Sequence, residues 1–171
     1  MRGYKALRPV DEHRRVVGLL VGLALSRHTK CPGILAGLPV THWATVPSLP
    51  AKPGEHPLRS LVAGDAPGTE VTLVAAARVQ QPRMIHPDHF TCGVSLATES
   101  HVLVIDDTWA TGGHAQSAAV ALRKAGASRV SVLVVARWLN EDYKDNKQFI
   151  ADLRTRYYDP SICPWTGAGC P

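Results

Sequence analysis

Aromatic side chains are scarce in this sequence: Phe, Trp and Tyr together make up 6% of it. The four tryptophans, Trp43, Trp109, Trp138 and Trp165, are scattered and mostly lie near apolar runs, so no aromatic–basic platform for stacking a nucleic-acid single strand is visible. Long hydrophobic runs are missing as well. The most apolar segment, Val16 to Leu25, has about half the length that spans a bilayer. Asp11 and Glu12 precede it and "SRHTK" follows it, where a secretory signal would carry a small-residue cleavage site. The expected location is therefore the cytoplasm, without membrane attachment. No C-x-x-C pair occurs among the four cysteines, which removes the commonest zinc-module signatures. Internal repeats, coiled-coil heptads and low-complexity tracts are absent.

What is present suits one globular domain with a substantial core: 171 residues, 45% of them hydrophobic. We divide it into an N-terminal helical or hood segment (1–39), a core sheet (40–140) and a C-terminal helix and tail (141–171). Fourteen glycines and thirteen prolines predict many turns. The net charge of +5 favours anionic partners, phosphorylated small molecules or nucleic acid, and is matched equally well by a generally basic surface.

Val16, Leu19, Leu20 and Leu23 repeat at helical spacing and predict an amphipathic core helix. "CPGILAGLP" reads as a Gly/Pro connector, Val40 to Pro47 as a first strand, and "PLRSLVAG" as a short helix ending at Gly64. Glu70 to Val79 reads as a strand, followed by a proline-broken loop, "QQPRMIHPDHF". His101 to Ile105 is a continuous apolar run bounded by turn signals, the pattern of a parallel strand buried on both faces. A helix over Gln116 to Ala125, a strand over Arg129 to Trp138 and a last amphipathic helix in "DYKDNKQFIADLRTRYY" follow. Strand, helix, strand at this spacing is a βαβ unit, so the fold class is α/β with a mostly parallel sheet flanked by helices.

The chemistry concentrates at the end of the buried strand. Asp106 and Asp107 lead into "TWATGGH" and then a helix, and ligands of open α/β sheets bind beyond the C-terminal strand ends. A helix N-terminus offers unpaired amides and a favourable dipole to a phosphate; Gly112 and Gly113 permit close approach, and Thr111 adds a hydroxyl. Two carboxylates beside a phosphate make sense when they accept hydrogen bonds from sugar hydroxyls, helped by a divalent cation. The P-loop and Rossmann patterns are both absent, and the adjacent aspartates lack the spacer of a D-x-D phosphatase.

"VLVIDDTWATGG" closely resembles the PRPP-binding motif of type I phosphoribosyltransferases, and the order of elements extends the resemblance over most of the chain. "GYKA" resembles ComF-type, amidophosphoribosyltransferase-like members. The resemblance implies a phosphoribosyltransferase fold with a small hood built from the terminal segments, for which Arg137, Trp138 and the N-terminal helix are candidates. It implies that Asp106 and Asp107 hold the ribose hydroxyls and, directly or through those hydroxyls or water, Mg²⁺. Thr108 and the loop Ala110, Thr111, Gly112, Gly113 and His114 would hold the ribose and 5′-phosphate. His114 stands where the family usually has Thr or Ser, and Trp109 replaces an aliphatic residue, as core packing. Ser48, Leu49 and Lys52 match the pyrophosphate loop, and Arg78 and Arg83 offer the basic groups of a loop that would close over the reaction centre, a reading that solvated surface charge matches equally well. With Asp106 and Asp107, Arg83 is the candidate catalytic residue.

The implied function is transfer of the phosphoribosyl group of PRPP to a nitrogenous base or amine, with release of pyrophosphate. Two alternatives keep the same site: a PRPP-sensing, ComF-like accessory protein for single-stranded DNA, and a phosphoribosyl hydrolase. The family often pairs as a homodimer. Separately, Cys163 and Cys170 bracket "CPWTGAGC", whose Pro and Gly residues fold both sulfurs together, and with Cys31 and His28 they make a candidate structural zinc site. His86, His89 and Cys92 read as chance residues of a loop.

Overall fold

The computed structural model describes residues 3–6 and 10–171, so residues 1, 2 and 7–9 of the predicted hood segment lie outside the described residues. After a 3₁₀ turn over Gly3–Lys5 come α1 (Asp11–His28), α2 (Cys31–Ala36), β1 (His42–Thr45), α3 (Pro57–Val62), β2 (Thr69–Glu70) and β3 (Leu73–Ala75). They are followed by β4 (Phe90–Cys92), β5 (His101–Trp109), α4 (Gly113–Lys124), β6 (Arg129–Arg137) and α5 (Asn146–Arg154). A parallel sheet in the order β2-β1-β5-β6 forms the centre, and β3 and β4 make a separate antiparallel pair. The class is α/β, as the βαβ pattern predicts.

β5 lies between β1 and β6, and its alternate residues divide two cores. Val102 and Val104 join Leu73, Phe90, Ala118, Ala121 and Leu122 on the face covered by α4 and the β3–β4 pair. Leu103 and Ile105 join Val17, Val21, Leu25, Leu58 and Val62 on the face covered by α1 and α3. Burial on both faces is why the strand reads as an unbroken apolar run.

Four elements differ from the sequence reading. The helix α1 is longer than expected and buries Val17, Val21 and Leu25, while Val16 and Leu19 face outward. It is apolar on several faces, and docking on the sheet selects the stripe. The expected connector contains α2: Pro32 sits in its first turn, where no amide bond is lost, and Gly37 closes it in the left-handed conformation with amides to the Gly33 and Ile34 carbonyls. The single strand expected over Glu70 to Val79 is split between β2 and β3. β2 pairs with β1 at His42 and Trp43, the Val71 amide makes a last bond to the Trp43 carbonyl, and the chain then leaves β1 and pairs with β4 instead. Finally, β5 runs on to Trp109 because β6 pairs with it as far as Arg137, which draws both aspartates inside the strand. No helix among the described residues is long and apolar enough to cross a membrane.

Candidate functional site

Beyond the β1 and β5 ends a cavity of about 310 Å³ gathers residues from five separate stretches of sequence. Asp106, Asp107 and Thr108 come from β5, and Ala110 to His114 from the turn into α4. Ser48, Leu49 and Lys52 come from the loop after β1, Arg83 from the loop between β3 and β4, and Lys5 and His56 complete the wall. Every residue that the sequence reading gave to ribose, phosphate and pyrophosphate therefore lines one space. Arg78 and Arg137 are not among the lining residues, and Trp138 is exposed and also stands outside it.

The acid pair is not a free pair of carboxylates facing solvent. Successive strand residues point to opposite sheet faces, so Asp106 follows Val104 and Asp107 follows Ile105. On the α1 side, Asp107 accepts a hydrogen bond from the buried Tyr4 hydroxyl and pairs with the Lys5 ammonium, with His56 Nε2 at 4.0 Å. Asp106 Oδ1 accepts the Asp107 amide at 2.8 Å, and the Thr108 amide also donates to this carboxylate. Burial lifts the Asp106 pKa to about 6, against the opposing pull of Lys5 and the Thr108 amide. Burial also pushes the Tyr4 hydroxyl up, helped by the Asp106 charge. It lowers the Lys5 amine, with Asp106 opposing and Lys52 assisting. His56 is driven down to about 4 by burial and by the two lysines, so at neutral pH it is uncharged.

The phosphate-type turn is built as its residues suggest, but it already has a neighbour. Gly112 adopts the left-handed conformation with φ +82° and N-caps α4, and no side chain caps the first amides of that helix. A side chain at Gly112 would overlap the Trp109 ring, which lies against the turn and is half-buried. A side chain at Gly113 would overlap the Arg83 carbonyl. Its small size thus admits the basic loop, where the sequence reading reserved the space for phosphate. Thr111 Oγ1 likewise donates to the Arg83 carbonyl at 2.9 Å, and the His114 ring bonds the Pro82 backbone, while burial lowers its pKa. The loop is further tied down by the His86 amide on Ser117 Oγ at 2.9 Å, and His89 Nδ1 reaches the same hydroxyl at 3.3 Å.

Tyr4, Lys5 and His56 are the site residues that sequence reasoning missed. "GYKA" was the available signal: an aromatic hydroxyl beside a lysine, ahead of the first helix, supplies one donor and one cation for a buried acid.

A second cluster lies away from this cavity. One ligand atom from each of His28, Cys31, Cys163 and Cys170 falls within 4.8 Å of the others, and all but Cys170 are buried. Burial raises the Cys31 thiol to about 12, together with the neighbouring sulfurs. Burial also acts upward on Cys163, but the Trp165 and Thr166 amides, the Thr166 hydroxyl and Cys31 bring it down to about 7. His86, His89 and Cys92 do not form such a cluster among the described residues.

No family profile matches this chain, and no curated protein matches it. Among solved structures it is similar to a purine phosphoribosyltransferase from Pyrococcus horikoshii Ot3, at 15% sequence identity over 70% of this chain and 73% of that one, with a TM-score of 0.37.

Proposed function

We propose that the cavity binds PRPP and that the chain transfers its phosphoribosyl group to a nitrogen nucleophile, releasing pyrophosphate. The observation that supports this most is the meeting, in one 310 Å³ space, of the acid pair, the Thr-Gly-Gly turn at a helix N-terminus, Lys52 and Arg83. The volume is at the small end of ligand sites, of order 300–1,000 Å³. The α4 amides suit the 5′-phosphate if the Arg83 loop, whose carbonyl now meets Gly113 and Thr111 Oγ1, moves off the turn; Asp106 suits a ribose hydroxyl, and Ser48 and Lys52 suit the diphosphate.

The chemistry expected of such a site is displacement at C1 of the ribose, with positive character on the sugar and negative charge growing on the leaving diphosphate. Lys52 and Arg83 would stabilise that charge, and anchoring at both ends of the ligand would supply orientation. The carboxylates do not fit a direct Mg²⁺ cage. Asp107 already neutralises Lys5, and Asp106 accepts two main-chain amides. A cation bound by the diphosphate itself is compatible with the cavity.

A second reading, a PRPP-binding accessory protein without turnover, is favoured by those same internal partners, which leave Asp107 engaged without ligand. Calorimetry with PRPP, followed by pyrophosphate release against a panel of bases and amines, separates the two. Saturable PRPP binding with turnover of one acceptor supports transfer. Binding without turnover supports the accessory reading, and the absence of any PRPP binding sinks both.

A further inference from the structure

We propose that His28, Cys31, Cys163 and Cys170 bind one Zn²⁺ ion, a structural site that fastens the C-terminal tail to the end of α1 and the start of α2. The dimensions suit it. Four ligands around tetrahedral zinc, with Zn–S near 2.3 Å and Zn–N near 2.0–2.1 Å, put sulfur and nitrogen about 3.6 Å apart and two sulfurs ~3.8 Å apart. His28 Nδ1 lies 3.2 Å from Cys170 Sγ and 4.0 Å from Cys31 Sγ, on either side of that spacing. All four ligand atoms fall within 4.8 Å of one another, so the set is close to the size of one coordination shell.

The histidine is held as a metal ligand is held. Its Nε2 lies 3.1 Å from the Pro160 carbonyl. A proton on Nε2 donated to that oxygen leaves the Nδ1 lone pair aimed at the three sulfurs, the arrangement that fixes tautomer and ring orientation in zinc sites. The sulfur of Cys163 is supported too, receiving the amides of Trp165 and Thr166. Such amides stabilise a thiolate and do little for a disulfide.

The loop around it is organised in advance. The Cys163 amide donates to the Ala168 carbonyl at 2.8 Å, the Gly167 amide to the Cys163 carbonyl at 2.8 Å, and Thr166 Oγ1 to the Gly169 carbonyl at 2.8 Å. Trp165 packs against the α1-side core. Three thiolates and one imidazole leave no open position, which marks a structural rather than a catalytic ion, and soft sulfur donors in tetrahedral array select zinc over magnesium or calcium. The contribution is mechanical. The segment after α5 is largely exposed, and the cluster joins residues up to 142 positions apart.

The test is metal analysis of the full chain purified without chelator, with thiol titration before and after metal release. One zinc per chain is expected, with Cys163→Ser and Cys170→Ser losing it and Cys92→Ser, outside the cluster, retaining it. Cys170 is exposed, so its variant leaves the core intact, and folding of each variant is checked by circular dichroism. On metal removal, proteolysis after Arg154 should quicken by roughly tenfold or more as the tail is released. A folded wild-type chain that carries no zinc and takes none up when reduced and titrated overturns the proposal. So does a Cys163–Cys170 disulfide in the freshly isolated chain, or equal loss of zinc in Cys92→Ser.

Discussion

Asp106→Asn is expected to stabilise the fold and weaken the ligand site at once. The Asp106 carboxyl titrates near 6 in the folded chain, against an ordinary value of 3.8. Because the folded value is raised, the contribution to stability is full below about pH 4, falls as pH rises, and is lost above about pH 6. The two-unit shift corresponds to about 3 kcal/mol of penalty at pH 8, about 1.5 at pH 5 and almost none at pH 3. Asparagine keeps the carbonyl oxygen that accepts the Asp107 amide. The substitution should therefore recover most of that penalty, raising Tm by about 6–10 °C near pH 8 and by nothing near pH 3. Urea unfolding and thermal melts across this range supply the assay. At pH 8 the same variant should bind PRPP at least about tenfold more weakly, because the amide offers a poorer acceptor than a carboxylate to a sugar hydroxyl. A variant that is destabilised at pH 8, or that gains the same stability at every pH, refutes the argument that burial of an uncompensated charge sets the Asp106 environment. Unchanged PRPP affinity would separate the stability claim from the binding claim and sink only the latter.

Tyr4→Phe should cost about 1–3 kcal/mol, seen as a lower urea midpoint at constant m, because the buried Asp107 loses a donor that no water replaces. In a double-mutant cycle, Lys5→Met and Asp107→Asn should show coupling of about 1–2 kcal/mol, below the value for fully buried pairs because the Lys5 side chain is 35% exposed; additive effects would show that the pair is incidental. Gly113→Ala should displace the Arg83 loop, raising hydrogen exchange at residues 82–86, whereas Gly93→Ala, where an added carbon meets nothing, should leave exchange unchanged. Leu103→Ala, at the centre of the α1-side core, should destabilise by roughly 2–5 kcal/mol in the same unfolding assay.

The features legible in the sequence were those set by short-range pattern. His101 to Ile105 reads as a buried parallel strand because burial on both faces demands an unbroken apolar run, and the "TGG" turn reads as a helix entry because few other residues tolerate that backbone. The split of the strand after Glu70 was not legible. It depends on Leu73–Ala75 taking Phe90–Cys92 as partner in place of β1, a choice that no local pattern records. The burial face of α1 was hidden for a similar reason: Val16 and Val17 are chemically alike, and only the docked sheet distinguishes them. At the site, the type of each residue was readable but its partner was not. Nothing local to Asp107 points to Tyr4, 103 positions away, and nothing local to Gly113 points to Arg83.

Those long-range partners divide the labour between the two acids. Asp107 already accepts a phenol hydrogen bond and pairs with an ammonium; a sugar hydroxyl could replace the first with a bond of the same kind but could not replace the ion pair. A ribose entering the cavity would gain little by displacing Tyr4 and Lys5 from Asp107, since each displaced group would need a new partner in a buried place. Asp106 faces the other side of the strand, accepts two backbone amides among the described residues, feels the Lys5 charge at longer range and keeps lone-pair capacity on its carboxylate. The physical division is thus an anchoring acid that holds Gly3–Lys5 across the strand end, beside a second acid that, under the proposed function, would meet the ligand and whose charge is stabilised most when a polar ligand replaces the low-dielectric surroundings. On this reading the N-terminal turn is part of the wall of the site, and its order and the affinity of the cavity rise and fall together.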